Sequence, residues 1–391
     1  MKSMKVLMIN VVCGIRSTGR ICTDLADALT KQGHKVKIAY GREDVPEQYK
    51  KYAVRIGSDL DVKLHGVRAR LLDESGFGSK KATERFIEWV KRYDPDVIHL
   101  HNIHGYYINV EVLFDYLRTC GKKIIWTLHD CWAFTGHAAY CEAADCERWK
   151  TGCNNCPKRD DYPKAITDNS RVNWVKKRKI FTGIPNLQII TPSKWLAGLV
   201  KKSFLRKYPV SVIYNGIDTS VFKPVDSSEL RKMLKIGDKK VILGVAAVWD
   251  QRKGLDDFIK LNKLIDKNKY QIVLVGLTEK QIANLPKSII GITRTDSVEQ
   301  LVELYSLAHV FVNPTYEDNY PTTNLEAIAC GTPVITYDTG GSPESAVAYG
   351  KVVNKGSIKS LYSILSSRFS IAFDESIHKD ECIIKYMSVL D

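Results

Sequence analysis

Short apolar runs separated by stretches of helical length set the pattern of this chain, and they do so twice. In the first half, residues 6–11, 36–40, 97–100, 124–128, 187–191 and 210–214 are rich in Val, Ile and Leu. Such runs, alternating with segments long enough for crossover helices, predict strands of a parallel sheet. The second half repeats the theme at 241–245, 271–275, 289–292, 310–313 and 334–337. The pattern therefore predicts two doubly wound α/β sheets. The change of domain is expected near Asn215-Gly216-Ile217-Asp218 and Pro224, with the polar stretch 223–240 as a linker and a surface helix. Near the end, Ile383, Ile384, Met387 and Leu390 recur at helical spacing and predict an amphipathic helix over 380–390. No repeat of solenoid period and no low-complexity tract interrupts the alternation.

Composition adds bounds. A length of 391 residues favours two domains, and 44% hydrophobic residues suffice for two cores. No apolar run approaches the eighteen residues of a membrane span, and the segment 5–10 is too short for a signal peptide and lacks a cleavage site. It reads as a first strand, and the protein is expected in the cytoplasm. Lys plus Arg number 58 against 44 acids, a formal charge of +14. The excess concentrates at Lys176-Lys177-Arg178-Lys179 beside Trp174, and at Lys201-Lys202 and Arg206-Lys207 around Phe204 and Leu205. Cations interleaved with aromatics suit an anionic membrane surface, at about 1 kcal/mol per cation. Ordinary solvated helix faces explain any single cluster as well. No nucleic-acid-binding module is legible, so no nucleic-acid partner is expected.

The candidate chemistry concentrates in residues 316–335. The apolar run 309–313, ended by Pro314, reads as a buried strand, and residues 323–330 read as a helix stopped by Gly331. Between them lies a strand end feeding a helix start, where open parallel sheets bind ligands and a helix N-terminus favours anions. Asp318 and Glu326, eight residues apart, could accept hydrogen bonds from a hexose and a ribose. Solvated acids at a helix start are the plain alternative. In the first half, Gly14 and Gly19 follow the first strand, but their spacing is not that of a dinucleotide fingerprint. His129 ends a strand at a sheet edge, where a neutral imidazole could contact a sugar or be satisfied by backbone. His99 and His101 share one strand face, with His104 close by but no third metal ligand evident; structural or acceptor-site roles are expected. Cys141, Cys146, Cys153 and Cys156 fall within sixteen residues, as the insert after His129-Asp130-Cys131-Trp132. Structural zinc is the first reading of this cluster, free thiols the second and a disulfide the third.

Taken in order, Ser17-Thr18-Gly19-Arg20, Val97-Ile98-His99-Leu100-His101, Thr127-Leu128-His129-Asp130, Ile213-Tyr214-Asn215-Gly216-Ile217-Asp218, Trp249-Asp250-Gln251-Arg252-Lys253-Gly254, the 316–335 segment and Gly340-Gly341-Ser342-Pro343-Glu344 give the chain a family likeness. It resembles family-4 retaining glycosyltransferases of the GT-B fold, in the branch making capsular, exopolysaccharide and colanic-acid-type polymers. The resemblance covers nearly the whole length. It implies two Rossmann-like domains facing a central cleft: an acceptor domain over 1–217 with a returning C-terminal helix over 375–391, and a nucleotide-sugar donor domain over 218–374. It implies that Lys253 binds the donor diphosphate. The family's usual Arg position is Val248 here, so Arg252 is the candidate partner. The paired-acid motif falls on Asp318, an Asp where Glu is usual, and Glu326, with Glu317 one place before the first acid. His129 takes the place of the first-domain histidine. Gly19, Asn215, Asn319, Tyr320, Pro321 and Thr322 complete the expected donor contacts.

The implied reaction is transfer of a hexose from a nucleoside diphosphate sugar to a growing, lipid-linked glycan, by front-face displacement with retention. No organic cofactor and no catalytic metal are implied. Two rivals stay open: a phosphorylase or sugar-nucleotide epimerase using the same cleft, and a non-catalytic sugar-nucleotide or polysaccharide-binding protein of the same fold, which the departures at Asp318 and Val248 suggest.

Overall fold

The computed structural model describes residues 3–346, 348–365 and 377–390. The chain divides into two compact units, Met1–Tyr214 with Ile383–Asp391, and Asn215–Cys382. The division falls at the Asn215-Gly216 motif, three residues ahead of the expected boundary.

In the first unit, seven parallel strands are β1 (Lys5–Ile9), β2 (Lys35–Tyr40), β3 (Ala53–Arg55), β4 (Val97–Leu100), β5 (Lys123–Thr127), β6 (Leu187–Thr191) and β7 (Val210–Val212). Their order across the sheet is β3-β2-β1-β4-β5-β6-β7. In the second unit, β8 (Lys240–Val245), β9 (Tyr270–Val275), β10 (Ile289–Ile292), β11 (Val310–Asn313), β12 (Val334–Tyr337) and β13 (Gly350–Val353) form a sheet ordered β10-β9-β8-β11-β12-β13. Central strands such as β4, β11 and β12 are buried throughout, as the continuous apolar runs require when helices cover both faces. Each fully buried Val, Leu, Ile or Phe contributes roughly 1.5–3 kcal/mol.

Two strands escaped the apolar pattern, both at sheet edges. β3 has three residues and β13 reads Gly-Lys-Val-Val, so neither shows a continuous apolar run. Gly350 is needed there, since a Cβ would lie 1.8 Å from the Val334 carbonyl. The C-terminal helix is Lys379–Leu390, with Ile383, Tyr386 and Leu390 inward. The expected face is therefore rotated: Ile384 is 59% exposed and Tyr386 takes its place. Within the first unit this helix is fastened by Lys123 Nζ on the Leu390 carbonyl at 3.2 Å, and by Tyr386 OH against Thr127 Oγ1 at 3.3 Å. Residues 375, 376 and 391 of the expected returning segment lie outside the described residues.

Candidate functional site

In the second unit the strand order reverses between β8 and β11, and the loops leaving these strands meet at their carboxyl ends. After β8 the chain passes Trp249, whose indole N–H donates to the Val275 carbonyl at 2.8 Å, and enters a 3-10 turn, Gln251–Lys253. Asp250 caps the turn by accepting from the Lys253 N–H at 3.1 Å. Gly254 closes it with φ 73°, and a Cβ there would stand 2.3 Å from the Pro314 carbonyl. Glycine thus lets the turn lie directly on the loop after β11.

That contact is made with both backbone and side chains. The Arg252 carbonyl accepts from the Tyr316 N–H at 2.7 Å, and Arg252 Nη1 donates to the Glu317 carbonyl at 3.1 Å. Lys253 Nζ lies 2.6 Å from Asp318 Oδ2, with the two side chains only 20% and 15% exposed. Asn319 N–H donates to Asp318 Oδ1 at 2.9 Å, and the Asp318 carbonyl accepts from Gly341 N–H at 3.1 Å. Gly340, at φ 58°, would place a Cβ 1.9 Å from that same carbonyl. A third loop, after β12, is thereby pressed onto Asp318.

Pro321 precedes the helix Thr322–Ala329, which carries Glu326. Glu326 is 8% exposed and its Oε2 accepts from Tyr305 OH at 2.8 Å. Burial and the Glu326 charge together push the Tyr305 phenol well above its ordinary pKa. The helix is anchored by Asn324, which donates to Ser345 Oγ at 2.8 Å and accepts from Asn313 Nδ2 at 2.9 Å. Thr336 Oγ1 bridges the Asn313 carbonyl and Ser342 Oγ. Asn215 Nδ2 donates to the Tyr320 carbonyl at 3.4 Å, while its buried Oδ1 has no partner.

Arg252, Lys253, Asp318, Asn319, Tyr320, Pro321, Thr322, Glu326 and Asn215 are thus gathered on one end of one sheet. Val248, at the position where Arg was expected, is 65% exposed. Sequence reasoning missed Tyr305, Asn313, Asn324 and Thr336. The available signal was a polar residue inside or ending an otherwise apolar strand, as at Asn313 and Thr336. Two cations next to a helix N-terminus suit a diphosphate, and buried carboxylates suit hydroxyl pairs.

The first unit holds a separate constellation at the ends of β4 and β5. His101 Nδ1 and His129 Nε2 are 3.1 Å apart, so one of them donates to the other. His99 packs on His101 with ring centroids 4.1 Å apart, and its Nε2 meets Thr127 Oγ1 at 2.8 Å. Burial lowers His129 to about 4 and His99 to about 3, and holds His101 well below its ordinary value, so all three are neutral near pH 7. His104 instead pairs with Asp130 Oδ2 at 2.8 Å and with Tyr162 OH at 3.2 Å. Gly19 sits in the first turn of the helix Arg16–Lys31, its carbonyl accepting from Gly14 N–H at 3.2 Å. A Cβ on Gly19 would come within 3.2 Å of that nitrogen, so its small size serves close packing of loop on helix.

Two expectations need correction. The basic cluster at 176–179 is not wholly a surface feature: Lys177 is 1% exposed, and Trp174 and Leu205 are buried. Lys177 Nζ donates to the Trp132 and Thr135 carbonyls at 2.9 and 3.1 Å. As for the cysteines, all ten are unlinked, which removes the disulfide reading. Among the described residues, no three His, Cys, Asp or Glu side chains already stand where they would hold a metal ion, so the zinc expectation finds no preformed ligand set.

A family model described as Glycosyltransferase Family 4 matches residues 18–221, and one described as Glycosyl transferases group 1 matches residues 226–363. The putative colanic acid biosynthesis glycosyl transferase WcaC of Escherichia coli K12 is 24% identical over 377 residues, covering 92% of this chain and 90% of the relative. Among solved structures, sucrose-phosphate synthase of Thermosynechococcus elongatus aligns with a TM-score of 0.71 at 18% identity, covering 99% of this chain and 98% of its own. Anabaena HepE in complex with UDP aligns with a TM-score of 0.67 at 14% identity, covering 99% of each. Both units have the parallel-sheet architecture of GT-B glycosyltransferases, and the chain belongs to Glycosyltransferase Family 4.

Proposed function

We propose that this glycosyltransferase transfers a hexose, with retention, from a nucleoside diphosphate sugar to a lipid-linked glycan during capsule or exopolysaccharide synthesis. The observation that carries the reading is the Lys253–Asp318 pair, set beside Arg252 and the Glu326 helix where the second sheet reverses order. The second unit is the donor domain and the first the acceptor domain. Lys253 and Arg252 hold the diphosphate, Glu326 accepts from the ribose, and Asp318 accepts from the hexose. As the anomeric C–O bond to phosphate breaks, negative charge grows on the leaving oxygen, and fixed cations there lower the barrier. The acceptor oxygen forms its bond on the same face, and its proton passes to the departing phosphate oxygen. His129, neutral and oriented by His101, hydrogen-bonds the sugar being transferred. No organic cofactor enters. UDP is the first base to try, because the similar HepE structure holds it.

The enzyme works at the anionic cytoplasmic membrane surface. Support comes from the helix Asp59–Leu72, whose Leu60, Leu64, Val67 and Leu71 are all exposed at spacings of four, three and four residues. Lys63 and Arg70 flank one side of this stripe, and Arg68, ion-paired with Glu74, lies on the other, the layout of a helix lying in a membrane interface. No helix among the described residues is long and apolar enough to cross a membrane.

Thermal unfolding with UDP, GDP, ADP and dTDP sugars tests the donor site on the wild type and on Glu326→Ala. One base should raise Tm, and the variant should lose that rise. No shift with any nucleotide, or an equal shift in the variant, would remove Glu326 from the donor site.

A further inference from the structure

The insert after β5 carries chemistry that glycosyl transfer does not use. Cys141, Cys146, Cys153 and Cys156 line one cavity of about 10 Å³, and His137 lines it with them. That is room for roughly one water-sized sphere, too small for an organic ligand.

His137 is the informative member. Its side chain is fully buried, Nδ1 lies 2.5 Å from Asp73 Oδ1, and Nε2 is buried without a partner. A carboxylate on one ring nitrogen fixes the tautomer that leaves the other nitrogen's lone pair bare, which is how metal-binding histidines are oriented. Asp73 is itself fixed, its Oδ2 accepting from Asn169 N–H at 3.0 Å. Two of the thiols are held by backbone N–H groups. Gly136 N–H points at Cys153 Sγ at 3.2 Å, and a Cβ on Gly136 would collide with the Ser170 carbonyl at 2.0 Å. The Lys158 backbone N–H donates likewise to Cys156. Beside the set lies the buried Lys177 amine, 3.5 Å from the Trp132 ring centre.

We propose that this cavity is a structural metal site for a soft divalent cation, Zn²⁺ fitting best, held by His137 Nε2 and three of the four cysteine thiolates. A Cys₃His set differs from the four-cysteine set that spacing alone suggests. Thiolates with one imidazole select a soft, tetrahedral ion, and a closed set of four ligands makes the site structural. No three donors already stand at ligand positions among the described residues, so binding draws 137–158 together and couples metal to local folding.

The test reads metal content and spectra of the full chain, so its outcome is separate from the donor-site reading. Purified protein should contain one zinc per chain, and Co²⁺ replacement should give the visible bands of a three-thiolate, one-nitrogen site. His137→Ala should lose the metal or shift those bands. Should that variant fail to fold, His137→Cys should keep one ion and move the Co²⁺ bands toward the four-thiolate position. One of the four single Cys→Ser variants should retain the ion. A folded, metal-free chain with four freely reactive thiols overturns the proposal, as does a Co²⁺ spectrum that His137→Ala or His137→Cys leaves unchanged.

Discussion

In the proposed reaction Lys253 is both structural and chemical. Its ammonium is paired with Asp318 at 2.6 Å in a partly shielded position, so a bound diphosphate must compete with a carboxylate for it. A cation that meets the growing phosphate charge acts mainly in the transition state. Lys253→Ala should therefore lower kcat about 10²–10³-fold with a smaller change in donor KM. Lys253→Arg should restore part of the loss, because charge is kept while shape is not. Steady-state kinetics on both variants check this, and an unchanged kcat would assign Lys253 to the Asp318 pair alone. The acids of this site were legible because Asp318 and Glu326 stand in a loop and helix start that the apolar pattern had bounded. Tyr305 was not. It sits in the helix Val298–Leu307 as one more large inward residue, and only the fold shows its hydroxyl on Glu326. Asn324 was hidden for the same reason: helical periodicity does not distinguish an inward amide that anchors loops from a polar surface position.

At the level of elements, most of the two sheets could be read from apolar runs, because strands buried on both faces carry no alternation to confuse them. Edges and amphipathic faces were less legible. Charge counting left the clusters at 174–179 and 201–207 as membrane contacts or as ordinary solvated faces, yet Trp174, Lys177 and Leu205 point inward. The helix Asp59–Leu72 was overlooked because its Leu and Val residues resemble a core-facing stripe, whereas His65 and Ala69 are the buried positions. Burying that exposed stripe in the headgroup region adds to about 1 kcal/mol from each nearby cation. Leu64→Glu with Val67→Glu should abolish flotation with anionic vesicles and leave transfer to a water-soluble acceptor intact. Vesicle binding unchanged in the double variant would move the contact elsewhere.

At the scale of the whole molecule, the two units differ in how they respond to acid. The first buries four histidines whose folded pKa values are depressed: His65 to about 4, His129 to about 4, His99 to about 3, and His101 further below its ordinary value, all chiefly by burial. The second has His309 shifted down, at a half-buried position. A histidine lowered in the folded state stays neutral there while the unfolded chain takes up a proton below about pH 6.5. Its stabilising effect is complete above that value and is lost as pH falls toward about 4, at about 1.4 kcal/mol per pH unit for each histidine once the unfolded form is protonated. Geometry explains why His65 resists protonation. Its Nε2 accepts from the N–H groups of both Gly76 and Gly78 at 3.1 Å, and a proton there would break both bonds. The first unit should therefore melt at progressively lower temperature between pH 6.5 and 5, with the second changing less. Release of a metal from the proposed site in the cysteine insert would act in the same direction, so a slope alone does not identify the histidines. Replacing His65 with Asn should reduce proton uptake on unfolding by about one per chain at pH 5, measured by calorimetry in buffers of different ionisation enthalpy. Uptake equal to that of the wild type would mean that His65 is already protonated in the folded protein, and the acid sensitivity would then have to come from other groups.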